Sequence, residues 1–231
     1  PHRARGAADG RRIPPGGQIP HAVHQAFARH EERAVLAAAS HIIVVSPKYP
    51  ADLIRRYPSL PASRLSVIPF GAAEADFHTA MEFSHDVFDP TDDRKHWVYA
   101  GVVIPGMSAS IEAFFMALRL AWDAGTVSPA TLRIHFIGTD YVPGERATSR
   151  VIDLARAIGV ENFVDERPQR LPYLRTLRAL SDADALLMFG SDEAGYTASK
   201  LLPYILARKP LLTVFHEHSS ITSMMREMNA G

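Results

Sequence analysis

Hydrophobic and polar residues follow several distinct patterns along the 231-residue chain. Residues 1–20 are rich in Gly, Pro and Arg and have no period, which predicts a flexible loop. From His21 to Ser40 the apolar positions recur at helical spacing. Two β-branched runs, 41–47 and 64–71, predict short strands, with a helix at about 51–56 between them. Residues 73–95 lose all periodicity and gain acidic residues, so they are predicted to link two domains.

Strand-like and helix-like segments then alternate regularly to the end of the chain. The predicted strands are 96–103, 132–138, 162–164, 185–190 and 210–216. The predicted helices are 108–124, 146–158, 172–181, 199–208 and 220–228. Such alternation predicts right-handed βαβ units around a parallel sheet. Because the strands are apolar throughout, helices should cover both faces. The predicted fold class is therefore α/β, with a Rossmann-like domain over residues 96–231.

Composition narrows the class of protein. With 47% hydrophobic and 22% charged residues the chain is typical of a globular protein and not of a disordered one. Lys+Arg and Asp+Glu both total 25, so no excess of basic charge indicates a nucleic-acid partner. The absence of cysteine excludes disulfides and thiolate metal sites, which fits a reducing compartment. No apolar run approaches the roughly 20 residues of a membrane span. A start at Pro1 suggests a fragment of a longer protein.

The carboxyl ends of parallel strands are where such sheets bind ligands. At the first of them, Gly101 and Gly106 precede a helix that begins near Ser108, and glycines there would let backbone amides approach a phosphate. The alternative is a plain strand-to-helix turn with Ser108 as the N-cap. The segment lacks the glycine spacing of dinucleotide-binding and P-loop sites.

The end of the second strand carries further candidate residues. After the second strand, Gly138 would permit a close approach, and Thr139 would bond either a ligand or its own loop. Both interpretations remain open.

The segment 191–200 follows the fourth strand and is the richest in polar groups. Its Ser199 and Lys200 would bind a pyrophosphate at the start of a helix, and Glu193 would accept hydrogen bonds from sugar hydroxyls. Tyr196 and Thr197 lie in the same segment. The alternative is a capped, solvated loop.

Metal and nucleophile chemistry find little support. The chain has 11 histidines, and the helical pair His21/His24 has no third ligand evident nearby. His216 and His218 have the spacing of one strand face, and zinc ligation, a hydrogen-bonding role in the ligand cleft and solvent exposure are the alternatives, of which exposure is favoured. We therefore expect no metal site. The chain also lacks a Gly-x-Ser-x-Gly nucleophile elbow and a cysteine nucleophile.

Three stretches together resemble glycosyltransferases of the two-Rossmann GT-B type, in particular the family-four retaining enzymes. Residues 32–77, with HIIVVSPKYPADLIRRYP and VIPFGAAEADF, resemble the end of the N-terminal domain of such enzymes. Tyr99–Gly106 resembles the first strand and glycine turn of the nucleotide-sugar domain. SKLLPYILARKPLL (Ser199–Leu212) resembles the donor-site helix and the strand after it. The likeness covers most of residues 32–231.

The resemblance implies a domain plan. Residues 21–72 would be a remnant of the N-terminal Rossmann domain, 73–95 the linker, and 96–231 the nucleotide-sugar-binding domain, incomplete at its C-terminal end. The remainder of the N-terminal domain would supply the site that binds a glycan or lipid-linked acceptor, together with part of the catalytic machinery. The protein would be cytoplasmic, and peripheral contact with the inner face of the membrane is compatible with this picture.

The resemblance also implies roles for the candidate residues. The diphosphate of an NDP-sugar would lie at Thr197–Lys200, and the nucleobase at residues 165–171, which include Arg167. Glu193 and Lys200 would serve catalysis, with no cofactor or metal beyond the donor. Pro203 stands where family members usually carry a ribose-binding glutamate.

The expected function is donor binding within a retaining hexosyltransferase of polysaccharide biosynthesis, by a fragment that alone does not turn over. Two rivals remain. One is a non-catalytic nucleotide-binding Rossmann module, and the other is a related GT-B epimerase or phosphorylase.

Overall fold

The computed structural model describes residues 21–142, 146–192 and 199–228, with side chains from residue 23 onward. The chain divides into two compact units. The first comprises the residues up to Val44 together with Lys48–Ile68, and the second comprises Val45–Pro47 together with Pro69–Gly231.

The first unit is a small α/β unit. Its elements in chain order are α1 (His21–Ala38), β1 (Ile42–Val44), α2 (Tyr49–Arg56) and β2 (Leu65–Val67). The two strands pair in parallel, and Val44, Leu53 and Leu60 form the centre of a small core. Pro50 lies in the first turn of α2, where its missing amide costs nothing, and Pro58 follows the helix end. The predicted elements are present, and each strand is three residues long.

The second unit is built on a five-stranded parallel sheet. Its strands are β3 (Lys95–Ala100), β4 (Leu132–Ile137), β5 (Val164–Arg167), β6 (Ala185–Phe189) and β7 (Leu211–Val214). Its helices are α3 (Glu74–Ala80), α4 (Ser108–Asp123), α5 (Val151–Ile158), α6 (Tyr173–Asp182), α7 (Leu201–Leu206) and α8 (Ser220–Met228). The strand order is β5-β4-β3-β6-β7. The predicted α/β class with a parallel sheet is confirmed.

Both faces of this sheet are buried under helices. In β3, Val98 and Ala100 join the core under α3, α6, α7 and α8. The intervening Tyr99 joins the core under α4 and α5. Successive side chains of a strand point to opposite faces, so a central strand must be apolar on both. This explains the unbroken apolar runs of the sequence.

Several predicted boundaries are corrected by the structure. Residues 74–80, placed in the linker, form α3, whose Phe77 and Ala80 are buried against the second unit's core. A helix of two turns is too short to show a period. Residues 161–163, which overlap the predicted third strand, form a 3₁₀ turn, and the strand runs over Val164–Arg167 instead. The polar side chains of β5 hid it, because it is an edge strand with little apolar pattern.

Two helices also begin later than predicted. Helix α5 starts at Val151 and not at residue 146, and α7 spans Leu201–Leu206 within the predicted 199–208. The delayed start of α5 has a physical cause. The carboxylate of Glu166 accepts hydrogen bonds from the amides of Arg150 (3.0 Å) and Ile152 (2.9 Å), and so caps the helix from a neighbouring strand.

A buried pair of histidines connects β3 and β4. His96 Nε2 lies 3.0 Å from Asp92 Oδ1, and His96 Nδ1 lies 2.9 Å from His135 Nε2. Phe88 stacks on both rings, at centroid distances of 4.4 and 5.0 Å. Among the residues that the structure describes, His135 Nδ1 has no hydrogen-bond partner, and Asp165 Oδ2 lies 3.6 Å away. Burial lowers the pKa of His135 to about 4, so the ring is neutral at pH 7.

Candidate functional site

The candidate site lies at the carboxyl edge of the five-stranded sheet, where the strand order reverses. From β3 the chain proceeds to β4 and β5 on one side, and then returns to β6 and β7 on the other. Such a switch point between two central strands is the usual ligand crevice of open parallel sheets. The pairing of β3 with β6 ends at Val98 and Leu186, so the two strands separate toward this edge.

Helix α7 fills the gap where the strands separate. The hydroxyl of the buried Tyr204 accepts a hydrogen bond from the Ala100 amide (2.7 Å) and donates one to the Ala100 carbonyl (3.2 Å). It replaces the strand partner that Ala100 lacks on this side. Burial raises the pKa of Tyr204, which keeps the hydroxyl protonated and able to donate. Sequence reasoning missed this residue, since a tyrosine in an apolar helix reads only as core.

Lys200 is brought to the same point by the turn that precedes α7. Its Nζ lies 3.9 Å from the centroid of the Tyr99 ring and 3.4 Å from the Ala100 carbonyl oxygen. An ammonium over an aromatic face is attracted to it electrostatically. Burial lowers the pKa of Lys200 to about 7, because the charged form loses hydration. An anion bound nearby would therefore stabilise the charged form of Lys200.

Gly101 is required by this arrangement. Its φ of +139° is a conformation that side chains rarely adopt. A Cβ atom at this position would lie 2.6 Å from Lys200 Nζ, so the ammonium occupies the space that the glycine leaves free. The sequence analysis expected this glycine to let the backbone approach a phosphate. In the structure, the group that lies against Gly101 is the ammonium of Lys200.

A pocket of about 360 Å³ opens beside Gly101. It is lined by Ala100, Gly101, Ile137, Gly138, Arg170, Leu171, Tyr173 and Thr176. The two glycines end β3 and β4, and the remaining polar residues come from the loop before α6 and from α6 itself. The structure thus brings together Gly101 and Gly138, both predicted as ligand-binding residues. The pocket and Lys200 meet at Gly101, which contacts both.

A different arginine from the predicted one lines the pocket. Arg167 makes two hydrogen bonds to the Asp86 carboxylate, of 2.7 and 3.0 Å, which directs its guanidinium to that residue. Arg170, three residues later, lies at the pocket, with its guanidinium carbon 5.3 Å from the centroid of the Tyr141 ring. It packs so closely on Gly138 (φ +70°) that an added Cβ would lie 3.3 Å from Arg170 Cγ. The predicted loop 165–171 is therefore at the site, through its second half.

The glycine turn after β3 contacts the loop after β6. The carbonyl of Gly106 accepts a hydrogen bond from the Asp192 amide (3.0 Å), and a Cβ on Gly106 would lie 3.0 Å from Asp192 Oδ1. Helix α4 begins at Ser108 directly after a 3₁₀ turn, and no side-chain bond caps its start. The alternative role of Ser108 as an N-cap is therefore not realised. Ser110 instead donates a 2.7 Å bond to the Gly190 carbonyl.

Thr139 and Asp140 hold the loop after β4. The buried Thr139 hydroxyl donates to Glu166 Oε1 (2.6 Å). The Asp140 carboxylate accepts bonds from the Thr148 amide (2.8 Å) and hydroxyl (2.9 Å). These bonds, that of the Thr148 amide above all, lower the pKa of Asp140 to about 2. Of the two open interpretations of Thr139, the structure favours the loop-forming one for its side chain.

Three predicted residues, Glu193, Tyr196 and Thr197, lie outside the described residues. Ser199 is exposed, next to Lys200 and just before α7. One residue that the sequence analysis did not single out is Gly190, at the end of β6. A Cβ there would lie 2.3 Å from Phe215 Cδ1, so the ring after β7 packs directly on its backbone.

Over residues 21–142, 146–192 and 199–228, no group of three or more His, Asp or Glu side chains is arranged to hold a metal ion. None of the helices formed by those residues has the length and apolar character of a membrane-spanning segment.

Comparison with known proteins identifies the fold. No family model and no curated protein sequence matches the chain. Among solved structures, a UDP-forming α,α-trehalose-phosphate synthase from Burkholderia xenovorans is similar with a TM-score of 0.58 and 13% identity, over 90% of this chain and 53% of that one. WaaG, a glycosyltransferase involved in lipopolysaccharide biosynthesis, gives 0.56 and 16%, over 90% and 54%. A glycosyltransferase from Rickettsia africae gives 0.54 and 11%, over 93% and 57%.

These likenesses show that the chain has the fold of the GT-B glycosyltransferases, with its Rossmann-like domain. The predicted resemblance is thereby confirmed at the level of fold. The chain spans about half the length of the solved structures it matches.

Proposed function

We propose that the chain is the donor-binding portion of a retaining glycosyltransferase, which transfers a sugar from an NDP-sugar to a glycan or lipid-linked acceptor. The observation that carries this proposal is the placement of Lys200. The ammonium of the half-buried Lys200 lies against Gly101 at the switch point of the sheet, beside a pocket of about 360 Å³.

The pocket suits a nucleoside. Ala100, Ile137 and Leu171 supply apolar walls, and Gly101 and Gly138 line the same pocket without side chains. A few polar groups set among apolar walls are typical of small-ligand sites. The nucleobase would lie against the loop before α6, mainly on backbone atoms.

The diphosphate would lie between the pocket and Lys200. Its negative charge would favour the protonated form of Lys200 and so offset the lowering of the lysine's pKa by burial. The resulting charge-assisted hydrogen bond is stronger than a neutral one. In the transition state, bond cleavage at the anomeric carbon leaves negative charge on the departing diphosphate. A preorganised cation at that point stabilises the charge and accelerates the reaction. Glu193 is proposed to bind sugar hydroxyls, and no metal is required in this scheme.

Calorimetric titration of the chain with UDP, GDP, ADP, NAD and phosphate tests the proposal. UDP is the first choice, because one of the structural relatives is a UDP-forming synthase. We expect one nucleoside diphosphate to bind selectively, and Lys200→Ala to weaken it at least tenfold, or about 1.4 kcal/mol. Lys209→Ala is the matched control. Lys209 follows α7 just before β7 begins, at the opposite edge of the sheet.

Extending the titration to a sugar phosphate and to the NDP-sugar of the preferred nucleotide separates the rival functions. A phosphorylase would respond to phosphate and sugar phosphates, and a non-catalytic Rossmann module would show no preference for NDP-sugar over free nucleotide. If the folded chain bound none of these nucleotides, an autonomous donor site would be refuted while the fold would stand.

A further inference from the structure

The first unit contains a cavity of about 500 Å³ between α1 and α2, independent of the donor site proposed above. It is lined by Ala26, Arg29, His30, Arg33, Arg56 and Tyr57. The four residues from α1 recur at intervals of three and four, so they form one face of the helix. Arg56 is the last residue of α2, and Tyr57 follows it directly. We call this cavity the basic pocket.

The charge in the basic pocket is strongly one-sided. Three of its six lining residues are arginines, and one of them, Arg56, pairs with the carboxylate of Glu32. The carboxylate of Glu32 already accepts bonds from Arg56 (2.9 Å) and from the Tyr57 hydroxyl (2.6 Å). This hydrogen bond raises the pKa of Tyr57, so its hydroxyl stays a neutral donor.

The remaining two arginines carry uncompensated charge. Among the described residues, no carboxylate forms an ion pair with Arg29 or Arg33, although α1 and α2 are both fully described at this point. The chain as a whole has a formal net charge of zero, so the excess of arginine at this pocket does not reflect a generally basic chain. A concave site with several guanidinium groups and one satisfied acid selects for an anion.

We propose that the basic pocket binds a phosphoryl group with two or more negative charges. The planar guanidinium fork matches phosphate oxygens and binds them in pairs, which favours phosphate over a simple monovalent anion. A second, smaller cavity of about 260 Å³ shares Arg33 and Tyr57 and gives room for the rest of the molecule. That molecule is either a soluble phosphorylated compound or a phospholipid headgroup.

The first experiment is calorimetric titration of the whole chain with pyrophosphate. The double substitution Arg29→Gln/Arg33→Gln should weaken binding at least tenfold. Arg55→Gln is the matched control, because Arg55 also lies on α2 but pairs with Asp52 (2.7 Å) and does not line the pocket. All titrations are repeated with Lys200→Ala, which removes the proposed donor-site contact and leaves the basic pocket intact. Failure of one site is thus distinguishable from failure of the other.

A second experiment identifies the source of the phosphoryl group. The chain is sedimented with phosphatidylcholine vesicles that contain or lack phosphatidic acid. Retention that requires phosphatidic acid and is lost in Arg29→Gln/Arg33→Gln assigns the pocket to a lipid headgroup. Pyrophosphate binding without such retention assigns it to a soluble phosphorylated compound.

A change in the opposite direction guards against loss of folding as an explanation. Glu32→Gln removes the pocket's acid but keeps an acceptor for Arg56 and Tyr57, so it should strengthen pyrophosphate binding several-fold. The proposal is overturned if pyrophosphate and the acidic vesicles both fail to bind, or if Arg55→Gln weakens binding as much as the pocket variants do.

Discussion

Lowering the pH from 7 to 5 should destabilise the second unit through one buried side chain, His135. The ring shares a hydrogen bond with His96 through Nε2 (2.9 Å), and its Nδ1 atom has no hydrogen-bond partner among the described residues. A proton added there would bring a charge into the core beside a second imidazole. Asp165 faces it at 3.6 Å but also binds Arg133, which limits the compensation.

The size of the effect follows from the difference between two pKa values. The pKa of a histidine in the unfolded chain is about 6.5, whereas burial lowers the pKa of His135 to about 4. The folded state therefore binds fewer protons, and the stability present above the unfolded pKa is lost as the pH falls through 6.5 toward 4. The full difference is about 3 kcal/mol, of which about 2 kcal/mol is lost by pH 5.

Tryptophan fluorescence during urea denaturation measures this in the right part of the chain. The two tryptophans of the sequence, Trp97 and Trp122, both belong to the second unit. The quantity to compare is the change in unfolding free energy between pH 7 and pH 5. His135→Gln removes the titrating ring and should reduce that change by about 2 kcal/mol, whatever it costs at pH 7.

His78→Gln serves as the control, because His78 is an exposed histidine of the same unit. It should leave the change in unfolding free energy as in the wild type. Burial also lowers the pKa of His85, so some acid sensitivity should persist in His135→Gln. If the wild type and His135→Gln lose the same free energy between pH 7 and 5, the assignment of this effect to His135 is wrong.

Three further predictions concern the sheet edge. Gly101→Ala should destabilise the second unit by at least about 2 kcal/mol, because it strains the backbone and displaces Lys200, and it should abolish nucleotide binding. Gly125→Ala is the control, because Gly125 also has a positive φ but open space around it. It should destabilise the unit by only about 1 kcal/mol and leave nucleotide binding intact. Gly190→Ala should cost about 1–3 kcal/mol by overpacking against Phe215, and a double-mutant cycle with Phe215→Leu should show clear non-additivity in urea denaturation; additive costs would contradict the contact. NDP-sugar affinity should fall above pH 7, as Lys200 loses its proton, approaching tenfold per pH unit, whereas Lys200→Arg should bind with little pH dependence in the same calorimetric assay.

The sequence predicted those helices and strands whose apolar residues form a clear pattern along the chain. Apolar runs located four of the five strands of the sheet, and the rule that ligands bind at carboxyl strand ends placed Gly101, Gly138 and Lys200 at one edge. The edge strand β5 was displaced because polar residues interrupt its pattern, and α3 was missed because it is only seven residues long.

The details that depend on distant pairs were beyond a single sequence. Nothing in the local pattern around Arg167 reveals that Asp86, 81 residues away, accepts its guanidinium bonds. The same holds for Glu166, which caps α5 from β5, and for the contact of Phe215 with Gly190. These arrangements depend on the packing of strand ends, which the order of residues along the chain does not express.

The double hydrogen bond of Tyr204 to Ala100 has a consequence for how this segment tolerates change over evolution. Lys200 and Tyr204 are four residues apart, so one helical turn separates the ammonium at the sheet edge from the hydroxyl that completes the end of β3. An insertion or deletion between them would rotate one of the two away and leave a buried backbone group unpaired. Substitutions on the outer side of α7 carry no such penalty. Descendants of this chain should therefore vary in residue identity along α7 while the interval of four is inherited unchanged.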